Sequence, residues 1–106
     1  MPKYMCEAKY TAEGKRGLLK DKASSRQAVV EKLFTALGGK LESMYFCFGD
    51  SDVIIIGDFP DNTSAAAVSA VVSASGVVDA KIVVLLTVAE MDQALNKAPE
   101  YRPPSA

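Results

Sequence analysis

The stretch from Phe46 to Asp61 constrains the fold most. An apolar run ends at Phe48, a tight polar turn follows at Gly49-Asp50-Ser51-Asp52, Val53 to Ile56 form a second apolar run, and Pro60-Asp61 stop it. β-branched and aromatic residues flank residues that tolerate turn dihedrals, so two strands joined by a short loop are the simplest solution. The unbroken Val53-Ile54-Ile55-Ile56 run suits a strand buried on both faces, which predicts a central place in a sheet. No catalytic motif accompanies this hairpin, so it fixes architecture rather than chemistry.

The rest of the chain supplies the partners of that hairpin. Lys3 to Tyr10 alternates, with Tyr4, Cys6, Ala8 and Tyr10 on one side and Lys3, Met5, Glu7 and Lys9 on the other, as in a half-exposed strand. Residues 11–19, with Gly14 and Gly17, suit a loop carrying a short helical turn. Ser24 and Gln27 are spaced as a capping box, and Val29, Val30, Leu33, Phe34 and Leu37 recur at helical intervals up to Gly38-Gly39. Lys40 to Phe48 and Asp52 to Phe59 read as strands two and three. Asp61 can cap a second helix with a narrow stripe of Ala65, Val68, Val71 and Val72 ending at Gly76. Val77 to Leu86 reads as strand four, and Thr87 with Glu90 opens a short helix through Lys97. The order β-α-β-β-α-β predicts an α+β, ferredoxin-like domain with an antiparallel sheet in spatial order 4-1-3-2 and both long helices on one face. Residues 1–97 form one domain on this reading, and 98–106, with three prolines, a flexible tail.

Composition excludes several function classes. The formal net charge of −1 offers no field to draw nucleic acid or anionic lipid. It conceals a gradient: residues 1–40 carry nine Lys/Arg against four Asp/Glu, and 41–106 carry three against nine. A basic surface around Lys15, Arg16, Lys20, Lys22 and Arg26 would receive an anion or an acidic partner; the same residues serve equally as a solvated helix face. No apolar stretch is long enough to span a bilayer and the opening residues lack the layout of a signal peptide, so a cytoplasmic location is expected. Cys6 and Cys47, far apart in sequence and each flanked like a strand residue, are expected as buried free thiols. The chain has no histidine, hence neither the commonest general base near neutral pH nor the commonest metal ligand.

The side of the sheet away from the helices is where architecture begins to constrain function. Strand one offers it Lys3, Met5, Glu7 and Lys9, and strand four offers Asp79, Lys81, Val83 and Leu85. Strand two offers either Leu41, Ser43, Tyr45 and Cys47 or the alternate set Glu42, Met44, Phe46 and Phe48. Such a mixed face suits sheet-to-sheet association of two copies around a partly polar cavity, and it equally suits a wet surface.

At this point the chain resembles the GYD-domain family of small bacterial proteins, within the dimeric α/β-barrel superfamily of ferredoxin-like folds. The resemblance runs from about Lys3 to Leu95. It rests on Lys3-Tyr4 leading to Tyr10-Thr11-Ala12-Glu13-Gly14, on Leu37-Gly38-Gly39-Lys40-Leu41, on Gly49-Asp50-Ser51-Asp52-Val53, on Pro60-Asp61-Asn62, and on Leu86-Thr87-Val88-Ala89-Glu90-Met91. In the naming motif of the family Gly49 and Asp52 match, and Ser51 stands at the tyrosine position. The resemblance implies chiefly the fold and a homodimer or larger homo-oligomer. The wider superfamily includes cofactor-independent monooxygenases, haem-degrading enzymes, lactone isomerases and stress-responsive barrels, a range that fold alone does not narrow. The haem branch relies on histidine, which this chain lacks.

Five residues are candidates for ligand contact: Glu7, Lys9, Tyr45, Asp52 and Lys81. Glu7, Lys9 and Lys81 on neighbouring strands would bind a small carboxylic acid or abstract a proton from carbon, and would otherwise form a cross-strand salt bridge. Asp52 would act as a base if desolvated, or else accept backbone N–H groups beside the turn. Tyr4, Tyr10 and Tyr45 would offer phenols or pack with one polar tip. Gly14 and Gly17 beside Lys15 and Arg16 lack the Gly-Lys-Ser/Thr ending of a phosphate loop, and the methionines show no metal-binding spacing, so no cofactor or metal is expected. The expected role is a small-molecule-binding or accessory protein. The alternatives are a cofactor-independent, monooxygenase- or isomerase-like enzyme on a small organic acid or quinone-like compound, and a structural oligomerisation module.

Overall fold

The computed structural model describes residues 1–105. Its elements follow in the order β1 (Lys3–Tyr10), α1 (Ala12–Ala36), β2 (Lys40–Phe46), β3 (Val53–Asp58), α2 (Asn62–Ala74), β4 (Val78–Leu85) and α3 (Val88–Asn96). The four strands form one antiparallel sheet in the order β2-β3-β1-β4, the expected 4-1-3-2 order read from the other edge. The fold is α+β and ferredoxin-like. Helix α1 lies over β2 and β1, and α2 over β4, on the same face of the sheet. The core sits between these layers, with Tyr4, Ala8 and Tyr10 of β1 meeting Val53 and Ile55 of β3, Val30 and Phe34 of α1, and Ala65 and Val68 of α2.

Helix α1 differs most from expectation. It starts at Ala12, where Thr11 caps it by accepting from the backbone N–H of Gly14 at 3.2 Å. The two glycines do not break the helix. Gly14 is required because a Cβ there would lie 2.3 Å from the Val77 carbonyl oxygen, the same atom that accepts the Thr11 N–H at 3.0 Å. The helix is interrupted at Lys22 (φ 70°, ψ 165°), and its second segment begins ahead of Ser24, so the Ser24–Gln27 capping box expected there is not what starts it. Its end follows the sequence reading. Gly38, at φ +76°, donates to the Thr35 carbonyl and Gly39 to that of Phe34, the paired bonds of a Schellman motif.

The open face of the sheet is built in rungs set by strand register. Ile56, Met5 and Val83 form an apolar rung with Ser43 at its β2 end, and Tyr45, Ile54, Glu7 and Lys81 form the next. A bulge between Leu41 and Ser43 puts parts of both alternative β2 sets on this face: Glu42 on one side of it, bonded to Lys3, and Ser43 and Tyr45 beyond it. Lys3 Nζ lies 3.0 Å from Glu42 and 3.1 Å from Asp58, and these two hydrogen bonds, Glu42 foremost, raise its pKa. β3 is central as expected, yet only one of its faces is buried: Ile54 and Ile56 are half-buried on the open side.

Helix α3 carries both halves of the Thr87–Glu90 capping box. Every one of its residues is exposed, including Val88, Met91 and Leu95. The molecule accordingly extends 55 Å along its longest axis, and its radius of gyration of 16.7 Å exceeds the roughly 13 Å of a compact chain of this size. Of the tail expected over 98–106, residues 98–105 are exposed, and residue 106 lies outside the described residues. No helix among the described residues is long and apolar enough to cross a membrane.

Candidate functional site between the helices and the sheet

Tyr4, Cys6 and Tyr10, on the helix-facing side of β1, form part of the floor of a cleft, because the helices above do not close over the whole of it. The second segment of α1 contributes Val30, Leu33 and Phe34 to one wall. Helix α2 contributes Val68 and Val72 to the other, side chains too short to fill the space between the walls. The result is an apolar cavity of about 220 Å³, which also touches Met44, Ile55, Phe59 and Ile82 of the sheet layer. At its mouth stand Val29 of α1 and Val71 of α2, which are 46% and 64% exposed.

The floor is stiff. Phe34 stacks on Phe59 with ring centroids 4.3 Å apart, Tyr4 tilts against Phe59 at 5.7 Å, and the Tyr4 hydroxyl donates to Asn62 Oδ1 at 2.6 Å. Burial, followed by the neighbouring Glu7 carboxylate, pushes the Cys6 thiol up to about 11, so it is protonated at neutral pH and lines the cavity as a small apolar group.

One polar group interrupts this lining. Arg26, one turn before Val30, is half-buried, and its Nε is fully buried with no hydrogen-bond partner. The residue also lines a second, more polar cleft beside the α1 interruption, with Glu13 and Asp21. Arg26 therefore borders both the apolar chamber and the more polar one.

The five residues expected at a site lie elsewhere. Glu7 and Lys81 are register partners on β1 and β4, and Tyr45 occupies the same rung on β2, 70% exposed. Glu7 and Lys81 form no ion pair among the described residues. Lys9 pairs in register with Asp79 and donates to the Asp50 carbonyl at 3.5 Å. Asp52 is held away from this rung: its Oδ2 accepts the Tyr10 backbone N–H at 2.9 Å, and its Oδ1 lies 3.8 Å from Lys15 Nζ at the start of α1. Its carboxylate thus ties the ends of β1 and β3 to α1. Cys47, expected within a strand and buried, lies just past β2 and is exposed, because β2 ends at Phe46; both cysteines are free thiols. No cluster of metal-ligating side chains occurs among the described residues.

Sequence reasoning missed the cleft. In the sequence its lining is indistinguishable from core, and Arg26 is one of five cations on a basic face; the usable signal is an arginine one turn ahead of an apolar helical stripe.

A family model describing the GYD domain matches residues 4–95. The chain belongs to the GYD-domain family. The match runs from β1 into α3, so the cleft, the open face and the projecting helix all lie within this GYD domain. No curated protein and no solved structure matches the chain significantly.

Proposed function

We propose that this GYD-domain protein binds a small, largely apolar molecule in the cleft between its helices and its sheet. The observation that carries the proposal is a preformed apolar cavity, open to solvent between Val29 and Val71, with an unpartnered polar group at its edge. Ligand sites combine these features: mostly apolar walls and a few placed polar groups. A protonated thiol and a phenol already donating to Asn62 favour holding a molecule over transforming one.

The protein acts as a homodimer or larger homo-oligomer on this reading. The apolar rung of Ile56, Met5 and Val83, flanked by Ile54 and Leu85 and bounded by charge at both ends, supports association of two open faces. An exposed nine-residue helix is marginal alone, so α3 with its Val88, Met91 and Leu95 stripe supports the same conclusion. Such a dimer would enclose Glu7, Lys9, Tyr45 and Lys81 as a second, polar chamber.

Native mass spectrometry of protein purified gently from its own host tests the binding reading. The expected spectrum contains a small molecule retained by the native chain and lost in Val72→Phe, which fills the cleft. No added mass, or added mass that persists in Val72→Phe, would place the reading in error.

A further inference from the structure

Resting on the reading that the cleft binds a small molecule, we propose that its ligand is an amphipathic monocarboxylate whose chain fills the cavity and whose head is held by Arg26. A cavity with no charged lining residue would accept any apolar molecule. The one charged residue lining this cavity is Arg26, half-buried, whose side chain has no hydrogen bond or ion pair among the described residues. The Nε is closed off from the cavity itself, so a ligand oxygen would be held by the terminal NH2 groups, which have no protein acceptor. Guanidinium favours carboxylate geometrically, since two parallel N–H groups match two oxygens.

Charge chooses among anions. Glu13 and Asp21 line the outer cleft that Arg26 also borders, so each negative charge on the head meets two carboxylates against one cation, and a doubly charged phosphate is penalised more than a singly charged carboxylate. Volume sets the tail: at ~30 Å³ for each small group, the share a water molecule takes in the liquid, 220 Å³ holds about seven carbons. Octanoate is therefore the natural probe.

Calorimetric titration of the full chain with octanoate, octanol and octyl phosphate tests the assignment. Octanoate is expected to bind at least tenfold more tightly than octanol, with octyl phosphate weaker than octanoate. In Arg26→Met, which keeps the length of the stem, octanoate should lose its advantage over octanol; Arg26→Lys should restore part of the difference. Far-ultraviolet circular dichroism and the urea midpoint of each variant establish that it folds. Equal binding of octanoate and octanol to the native protein would overturn the carboxylate head and leave the cleft reading standing. Octyl phosphate binding more tightly than octanoate would overturn it in favour of a phosphate head. Failure of all three probes to bind would overturn both readings together.

Discussion

Two glycine-to-alanine changes, chemically identical, should move stability in opposite directions. Gly57 lies in β3 beneath the helices, and a Cβ there would stand 2.4 Å from Phe34 Cε2 and 2.7 Å from the Lys40 carbonyl oxygen. Each contact is about an ångström too short. Neither neighbour yields readily, because the Phe34 ring is stacked on Phe59 and the Lys40 carbonyl belongs to the paired strand β2. Gly57→Ala should thus carry an overpacking cost of about 3 kcal/mol, which lowers Tm by roughly 10–20 °C in a domain this small. Gly17 sits within α1 with nothing within 4 Å of the position its Cβ would take. Gly17→Ala should stabilise by about 0.5–1 kcal/mol through the lost backbone freedom of the unfolded chain. The chain has no tryptophan, so urea unfolding is best followed by far-ultraviolet circular dichroism. All three proteins should be compared at one concentration, because the proposed self-association would make apparent stability concentration-dependent. Shifts of the same sign, or a Gly57→Ala cost below about 1 kcal/mol, would refute the packing described for the sheet and α1.

Four further outcomes follow from particular contacts. Asp52→Ala removes the acceptor of the Tyr10 N–H and should destabilise by about 1.5–3 kcal/mol in the same urea assay. The backbone N–H of Ser64 foremost, with the Ser64 and Thr63 hydroxyls, holds the Asp61 carboxyl below its ordinary 3.8, and the Thr87 N–H does the same for Glu90 below 4.5. A depressed folded-state pKa gives stability that is complete above the unfolded value and lost as pH falls through the folded one, so Asp61→Asn/Glu90→Gln should flatten the decline of Tm as pH falls below the ordinary carboxylate range. Cys47, exposed, should react rapidly with a thiol reagent at neutral pH, whereas Cys6, at about 11, should react slowly and more slowly still with the cleft filled. Light scattering should give at least twice the 11.3 kDa chain mass, and Ile56→Lys should reduce it to the single chain.

Strand and helix order was legible because each element carries its own period. Lys3 to Tyr10 alternates without a fault, and the Thr87–Glu90 box declares the start of α3 three residues in advance. What failed depended on contacts across the fold. Gly14 and Gly17 read as loop residues because a sequence does not show the Val77 carbonyl that comes against Gly14. The β2 bulge upset a strict choice between two alternating sets, since register is settled by pairing with β3 and not within β2. The cleft was least legible of all. It exists because Val68 and Val72 on α2 are too small to meet Val30 and Leu33, residues some forty positions earlier, and Arg26 gains meaning only from that gap. Glu7, Lys9 and Lys81 share one face in the sequence pattern and in the sheet, but that face is open, and the preformed cavity lies behind it.

The cleft reading is tested most directly by methyl-labelled nuclear magnetic resonance during titration with octanol, which reports both faces of the sheet at once. The methyl signals of Val30, Leu33, Val72 and Ile82 should shift while those of Ile54, Ile56, Val83 and Leu85 on the open face hold their positions. Shifts confined to the open face, or none at all at saturating octanol, would contradict it.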